Sequence, residues 1–317
     1  MTLETNAFTS YASIGNREDL SDVIYRISPT DTPFLSGIDK EKASGVYHEW
    51  QTQALASASS SNAHLEGDGE AAVAATATVR LGNYCQISKK LPRVTGTEMV
   101  IDKAGRGNEM AYQEMLKGAE LKTDIESALL ASTTAQNAGN TTTIRRAGPC
   151  HSYLATNVDV TSTSSNNGNG TTVSTPNDTT RAFTESLLKS VLQAIWTQGG
   201  KPDVVMTGAF NKQQFSTFTG RSSVTEDAKA KKITANVTAY ESDFGTLKVV
   251  ANRFQRARDV FVFQMDMWAI AYLNGRRMVS EELGKTGDSI MKHIISEYTL
   301  VARNEKSSGW IADLTAA

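Results

Sequence analysis

Histidine and cysteine, which often bind metals or act in catalysis, are few in this sequence and lie far apart along it. No HxH or HExxH spacing links a histidine to a metal-ligand pattern, and Cys85 and Cys150 do not form a CxxC pair. A nucleophile elbow of the form GxSxG is absent as well. The sequence therefore gives no positive support for an enzyme, and we expect no catalytic residue, cofactor or metal. The four histidines are scattered along the chain: His48, His64, His151 and His293.

Two glycine-containing segments resemble nucleotide-binding loops but lack the required pattern. Gly284-Lys285-Thr286 is similar to the end of a phosphate-binding loop, yet Val279 occupies the position of its first glycine. No strand-to-helix pattern surrounds it. Gly168-Asn169-Gly170 lies in a low-complexity stretch rich in Ser, Thr and Asn. We therefore predict a structural role for both segments.

Length and charge narrow the class of protein further. The chain has 317 residues, enough for about two domains. Its 32 Lys and Arg against 34 Asp and Glu give a net charge of -2, which excludes a strongly basic face that grips nucleic acid. No apolar run is long enough for a membrane span, and the N-terminus does not resemble a secretory signal. With only two cysteines, we expect a soluble protein made in a reducing compartment.

The elements that would position functional residues begin with an arm and a hairpin. Residues 1–44 are interpreted as an N-terminal arm with a short amphipathic helix at 20–27, which Ser28-Pro29 ends. In residues 45–93, two alternating strands flank a long middle of Ala, Ser and Gly. Such a hairpin is too poor in large apolar residues to order itself, so we expect it to need another surface.

The clearest helix spans residues 108–130. Its apolar residues fall within an arc of about 140°, and we predict that Met115, Leu121, Ile125 and Leu129 form its core. Glu114 and Lys122 project into this stripe. Opposite charges also recur at helical spacing, as in Lys122 and Glu126, and suggest a solvated face.

The remaining chain contains an insertion, an α/β unit and a β-rich end. Residues 135–180 are dominated by Ser, Thr, Asn and Gly, so a mobile insertion is expected there. A helix near 187–195 and a strand at 203–207 form the α/β unit, and short apolar strands recur from 246 onward. An arm and a hairpin that cannot bury enough apolar surface within one chain indicate that the protein is a subunit of an assembly.

The order and spacing of these segments resemble the major capsid proteins of tailed bacteriophages, which have the Hong Kong 97 fold. No single motif is chemically diagnostic, and the likeness covers most of the chain outside about 135–180. The matching stretches are Asp19 to Ile24, Ser28 to Phe34, Tyr47 to Gln51, Leu81 to Ser88, the helix Ala111 to Leu130, Leu283 to Asp288, Glu297 to Leu300 and Arg303 to Lys306.

The resemblance implies an α+β fold and a role for each part. Residues 45–93 would be the extended β-hairpin loop that lies across a neighbouring subunit, after the arm 1–44. The segment 94–182 would be the peripheral domain, with the spine helix 108–130, and 183–255 the axial domain. Residues 256–317 would return to the peripheral domain.

The implied function is a shell subunit that forms hexamers and pentamers of an icosahedral or prolate head around double-stranded DNA. Contact with DNA would be weak and non-specific, and no membrane would be involved. Assembly would take place in the cytoplasm of the host bacterium, with portal, scaffolding and decoration proteins as further partners. Because the arm starts almost at Met1, we expect no encoded scaffolding segment. We assign no covalent cross-link.

Several charged or aromatic residues are candidates for contacts between subunits, although a solvated surface explains each of them equally well. Two alternatives stay open: an encapsulin-like shell of a bacterial nanocompartment, and an enzyme that uses His151 or His293. The candidate contact residues are Glu49, Trp50, Arg80, Lys89, Lys90, Glu114 and Lys122.

Overall fold

The computed structural model describes most of the chain. The predicted helix at 20–27 and the charged segment 221–232 lie outside the described residues. These are 29–67, 69, 74–161, 166–173, 179–218, 239–285 and 287–316.

Five α-helices occur in the described residues, and α3 is by far the longest. It spans about 33 Å at 1.5 Å per residue. The side chain of Asn108 caps it by accepting a hydrogen bond from the amide of Ala111. Helix α4 (Glu185–Thr197) is followed, after Gln198, by Gly199, whose φ of +89° is the left-handed conformation that glycine adopts readily. The helices are α1 (Pro33–Gly37), α2 (Gly96–Val100), α3 (Glu109–Leu130), α4 (Glu185–Thr197) and α5 (Ala209–Phe215).

Fourteen strands are found in the same residues, and they form three sheets. They are β1 (Asp39–Ala43), β2 (Tyr47–Thr52), β3 (Val79–Tyr84), β4 (Gln86–Lys90), β5 (Arg93–Thr95), β6 (Val158–Asp159), β7 (Val204–Thr207), β8 (Ala239–Ser242), β9 (Gly245–Ala251), β10 (Val260–Phe263), β11 (Trp268–Leu273), β12 (Val279–Leu283), β13 (Ser289–Ala302) and β14 (Gly309–Ile311).

The first sheet is organised around the long strand β13. It runs in the order β1-β11-β13-β12, and both β4 and β5 also pair with β13. Helix α3 packs on this sheet through β4, β5 and β13. Helix α1 lies against α3, and one core joins Phe34, Leu121, Ile125 and Trp268.

The second sheet has the order β6-β14-β10-β7-β9-β8 and is covered by α4. The apolar face of α4 carries Leu188, Val191, Leu192 and Ile195, at the spacing that a helix needs to bury one side. Strands β10 and β14 pair in this sheet although both follow residue 256. The predicted boundary between 255 and 256 therefore runs through a sheet. The peripheral and axial assignments stay predictions.

The predicted insertion at 135–180 is only partly loop-like. The prediction of mobility is wrong for residues 147–154, since Cys150, His151, Tyr153 and Leu154 are completely buried. The prediction rests on the average composition of residues 135–180, which is dominated by Ser, Thr, Asn and Gly. It therefore misses one short run of apolar and aromatic side chains within this range. This run packs in the main core and, through Tyr153, under the base of the hairpin.

Candidate functional site

The hairpin formed by β2 and β3 is a two-stranded sheet of its own, separate from the two six-stranded sheets. The two strands are antiparallel, with Tyr47 opposite Tyr84 and Thr52 opposite Val79. Between them, the described parts of residues 53–78 contain no strand. Leu55 is 97% exposed and Leu65 is 81% exposed. A leucine in that state has all of its apolar surface available for another protein.

The base of this hairpin is fixed to the body of the protein. The rings of Trp50 and Tyr153 lie 5.8 Å apart, and the hydroxyl of Tyr153 donates a hydrogen bond of 3.1 Å to the carbonyl of Gly82. Gly82 has no side chain, which lets the ring of Tyr47 lie on the strand; a Cβ there would be 2.6 Å from that ring. The side-chain amide of Asn83 donates to the carbonyl of Leu300 at 2.9 Å. The hairpin therefore leaves the body at a defined place.

The candidate contact residues on the hairpin differ in their surroundings. Arg80 and Glu49 form an ion pair of 3.1 Å with each other across the two strands, on a largely exposed face. Trp50 is half-buried and packs inward, against Tyr153 and the core. Its indole nitrogen is buried and has no hydrogen-bond partner among the described residues. Trp50 thus anchors the hairpin to its own chain.

The two lysines at the base of the hairpin, Lys89 and Lys90, also differ in their ion pairing. Lys90 forms an ion pair with Asp124 of α3 at 2.6 Å and lies 3.7 Å from Glu120. The hydrogen bond to Asp124 raises the pKa of Lys90. Lys89 is exposed, and within the described residues it forms no ion pair. Of the two, only Lys89 presents an unpaired charge at the surface.

On α3, Glu114 and Lys122 have opposite environments. Glu114 is paired with Lys292 of β13 at 2.8 Å, and the hydrogen bond from Lys292 lowers the pKa of this carboxyl. Lys122 is exposed and lines a surface cavity. The predicted pairing of Lys122 with Glu126 is wrong, because the carboxylate of Glu126 is occupied elsewhere.

The prediction of which α3 residues are buried is correct for three of the four residues named. Leu121, Ile125 and Leu129 are buried in the main core, whereas Met115 is 58% exposed. The prediction for Met115 is wrong because this residue lies at the edge of the apolar arc, about 120° from Leu121 at 100° per residue. Met110, which is nearer to the N-terminus but faces the same side as Leu121, is buried.

Glu126 is a residue whose importance the sequence did not reveal. It is completely buried, and its carboxylate accepts hydrogen bonds from the backbone amides of Phe34 (2.9 Å) and Leu35 (2.7 Å). The side-chain amide of Asn252 donates a third bond of 2.7 Å. Burial raises the pKa of Glu126, and these three hydrogen bonds act in the opposite direction. The apolar Leu130, four residues further along the helix, was the one signal that this face is covered.

The two histidines considered for catalysis do not form an active site with their neighbours. His151 is completely buried beside Trp310, with 5.3 Å between the ring centroids. Burial and the positive charge of Arg256 lower the pKa of His151 to about 3. His293 lies at the surface of β13, 3.2 Å from Glu281. A buried neutral histidine without access to solvent cannot serve as a general base.

The described residues contain neither a cluster of metal ligands nor a helix that could span a membrane. In that part of the chain, no group of three or more His, Cys, Asp or Glu side chains could hold a metal ion. The helices found there are also all too short or too polar to cross a bilayer. Cys85 and Cys150 are buried free thiols, and burial raises the pKa of Cys85 to about 11.

Comparison with known proteins gives a consistent result across the length of the chain. The family model of the SU10 major capsid protein matches residues 4–315. The major capsid protein of Escherichia phage Phieco32 is 27% identical over 341 aligned positions, covering 95% of both proteins.

Solved structures agree with this result at the level of the fold. The capsid of cyanophage A-1(L) matches with a TM-score of 0.63 and 15% identity, over 97% of this chain and 98% of that one. A phage G structure of major capsid and decoration proteins matches with a TM-score of 0.56 and 11% identity, over 99% and 100%. The α+β fold of the Hong Kong 97 type predicted from the sequence is confirmed.

Proposed function

Because the chain belongs to the SU10 major capsid protein family, we propose that it assembles into the pentamers and hexamers of a closed phage head around double-stranded DNA. As a major capsid protein it is a structural component of the virion. Assembly would take place in the cytoplasm of the host bacterium. Portal, scaffolding and decoration proteins would be its partners there.

The observation that carries this proposal is the contrast within the hairpin. Its base is held by Trp50, Tyr153 and Asn83, whereas Leu55 and Leu65 further out are almost fully exposed. A monomer gains nothing from two exposed leucines on a firmly attached arm. A neighbouring subunit would bury both of them, which at about 25 cal/mol per Å² favours association.

The low net charge supports the proposed relation to DNA. With a charge of -2, the chain as a whole does not attract a polyanion strongly. A shell that is filled by a packaging machine does not need to condense DNA with its own lysines. We expect isolated subunits to bind duplex DNA weakly and without sequence preference, with binding that disappears as salt is raised. Tight binding that resists salt would contradict the proposal.

Electron microscopy of the purified protein tests assembly directly. We expect closed shells or free capsomers, and DNA inside particles recovered from infected cells. Particles that carry cargo enzymes instead of DNA would favour the encapsulin-like alternative. The Phieco32 relative is a phage protein, and nothing in the described residues favours a nanocompartment shell. A protein that stays monomeric under all assembly conditions would contradict both.

Hydrogen exchange tests the proposed role of the hairpin in contacting a neighbouring subunit. Amides of residues 53–78, which lie beyond the paired strands β2 and β3, should exchange freely in monomers and become protected in particles, since ordering on a neighbour would slow local opening. Amides of α3 between Leu121 and Leu129 provide the internal control, because they are buried in the single chain and should be protected in both states. Protection of the outer hairpin already in the monomer would show that it does not need a neighbour.

A further inference from the structure

A basic cavity lies at the surface where α1, β1 and α3 meet the turn between β11 and β12. Its volume is about 210 Å³. Lys40, Lys122 and Arg277 contribute three cations to its wall, while Leu35 and Ile125 provide apolar side chains. A cavity of roughly 150 Å³ is enough for a benzene-sized group, so this one has room for a leucine side chain.

The charges of this cavity, which we call the basic pocket, are not neutralised within the described part of the chain. The pocket has no Asp or Glu in its lining, and Lys40 and Lys122 form no ion pair with a described residue. Arg277 stacks on Tyr272, with its guanidinium 5.1 Å from the ring centre. All three cationic residues are exposed. Three like charges around one concave site create a local potential that favours an anionic group.

The outer hairpin carries the opposite charge. Between Trp50 and Val79 the sequence contains three carboxylates and no Lys or Arg. These are Glu66, Asp68 and Glu70, and we call the segment from His64 to Glu70 the acidic tip. Leu65, which directly precedes the first carboxylate, is 81% exposed. The acidic tip therefore offers an apolar side chain and negative charges side by side.

We propose that the acidic tip of one subunit docks in the basic pocket of a neighbouring subunit. This rests on the proposed function, because it names the surface that receives the extended hairpin. Leu65 would enter the pocket beside Leu35, and the three carboxylates would face Lys40, Lys122 and Arg277. In the single chain Leu65 is exposed, so its own pocket does not hold it.

The length of the hairpin is compatible with docking on another copy. Residues 53–65 span up to about 43 Å when extended, at roughly 3.3 Å per residue. That distance is larger than the length of α3, so an extended segment of this length is long enough to reach a neighbouring subunit. Complementary charges across such a contact would also select the correct register, since a wrong neighbour places like charges together.

Charge exchange tests the pairing. Reversing the pocket (Lys40→Glu, Lys122→Glu and Arg277→Glu) or the tip (Glu66→Lys, Asp68→Lys and Glu70→Lys) should each reduce particle yield about tenfold or more, because like charges then face each other. Combining both sets in one chain should restore the yield to within about twofold of the unmodified protein. All variants should melt like the unmodified monomer, since the changed residues are exposed.

A matched control separates pairing from net charge. Lys201, Lys248 and Arg253 are exposed and belong to or flank the second sheet. The tip reversal combined with Glu at these three positions has the same net charge as the rescued protein, yet it should still fail to assemble. Equal rescue by this control would mean that net charge alone governs assembly and would overturn the proposal.

Zero-length cross-linking tests the contact without any substitution. Particles made from mixed light and ¹⁵N-labelled subunits are treated with a carbodiimide, which joins carboxylates to lysines in direct contact. We expect cross-links from the acidic tip to Lys40 or Lys122, with mixed isotope masses that identify two different chains. Cross-links within one chain only, or from the tip to other lysines, would overturn the proposal.

The outcomes distinguish this inference from the proposed function. If the unmodified protein forms no particles, the proposed function fails. If particles form, but the pocket reversal assembles normally, only the docking of the acidic tip is wrong. Normal shells that lose their DNA after pocket reversal would show that the pocket binds phosphate groups instead, which also overturns the docking proposal.

Discussion

The C-terminal half of α3 and the outer part of the hairpin carry the same kind of side chain in opposite states. Leu121 and Ile125 are fully buried, whereas Leu55 and Leu65 are 97% and 81% exposed. Even the charged Glu126 finds three hydrogen-bond donors inside its own chain. One region is therefore completed by folding, whereas the proposed function assigns the completion of the other to a second molecule. A substitution should therefore affect either folding or assembly, according to its region.

The largest effect is expected from Leu121→Asp. Burial of this side chain contributes roughly 1.5–3 kcal/mol, and an unpaired carboxylate in its place adds the cost of desolvating a charge. We therefore expect no folded protein, as measured by circular dichroism and thermal melting.

Met115→Asp is the matched control for this change, on the same helix. Its side chain is 58% exposed, so the variant should melt close to the unmodified protein. A soluble Leu121→Asp monomer with a cooperative melt would show that the buried face of α3 is assigned incorrectly, and the contrast between the two regions would fail.

The second prediction removes the outer hairpin and leaves the body intact. Replacing residues 56–74 with an Asn-Gly turn should leave the melting transition nearly unchanged, because none of the described residues in this range belongs to the core. The same protein should form no normal shells, as seen by electron microscopy. Normal shells from the shortened chain would show that the exposed leucines have no role between subunits.

The two regions also differ in how well the sequence predicted them. Periodicity placed α3 and the strands β2 and β3 close to their observed bounds, because one residue pattern per element is sufficient for that. Met115 and Glu126 were misplaced for a different reason. Glu126 binds backbone and side-chain groups that are 91 to 126 residues away in the chain. No pattern within the helix carries information about such distant partners.

The same limit applies to the basic pocket and to residues 147–154. The pocket combines residues from α1, β1, α3 and the turn after β11, and only the fold brings these together. In residues 147–154 a low-complexity composition hid a short run that is buried under the hairpin. The acidic tip, by contrast, is continuous in the sequence and can be found there by its charges alone.

The third prediction concerns the buried carboxylate of Glu126. Glu126→Ala removes the acceptor for two backbone amides and for Asn252, and hydrogen bonds to charged groups contribute about 1.5–3 kcal/mol each. Allowing for the desolvation that the carboxylate no longer suffers, we expect a loss of about 3 kcal/mol in the free energy of unfolding. Urea titration measures it.

Glu120→Ala is the control for this third prediction, because Glu120 is at the surface of the same helix, where it pairs with Lys117 at 2.7 Å and more distantly with Lys90 at 3.7 Å. That exposed ion pair should contribute at most about 1 kcal/mol. If the two variants lose the same stability, the hydrogen bonds of Glu126 to α1 do not help to hold α1 against α3.

The smallest effect is expected from the protonation of His151, which is completely buried beside Trp310. Its pKa is lowered to about 3, first by burial and then by Arg256. Between pH 3 and 6.5 the unfolded chain therefore binds a proton that the native protein does not, so stability falls as the pH drops below about 6.5. His151→Phe removes this dependence and keeps a ring beside Trp310. From pH 7 to pH 5 the unmodified protein should lose about 2 kcal/mol relative to the variant.

Asp259, whose pKa burial raises to about 6, titrates in the same range with the opposite sign, but it is present in both proteins and cancels in the difference. Urea titrations of both proteins at the two pH values measure this difference directly. A constant difference would mean that His151 is solvated in the native protein and is not packed beside Trp310 as the structure places it.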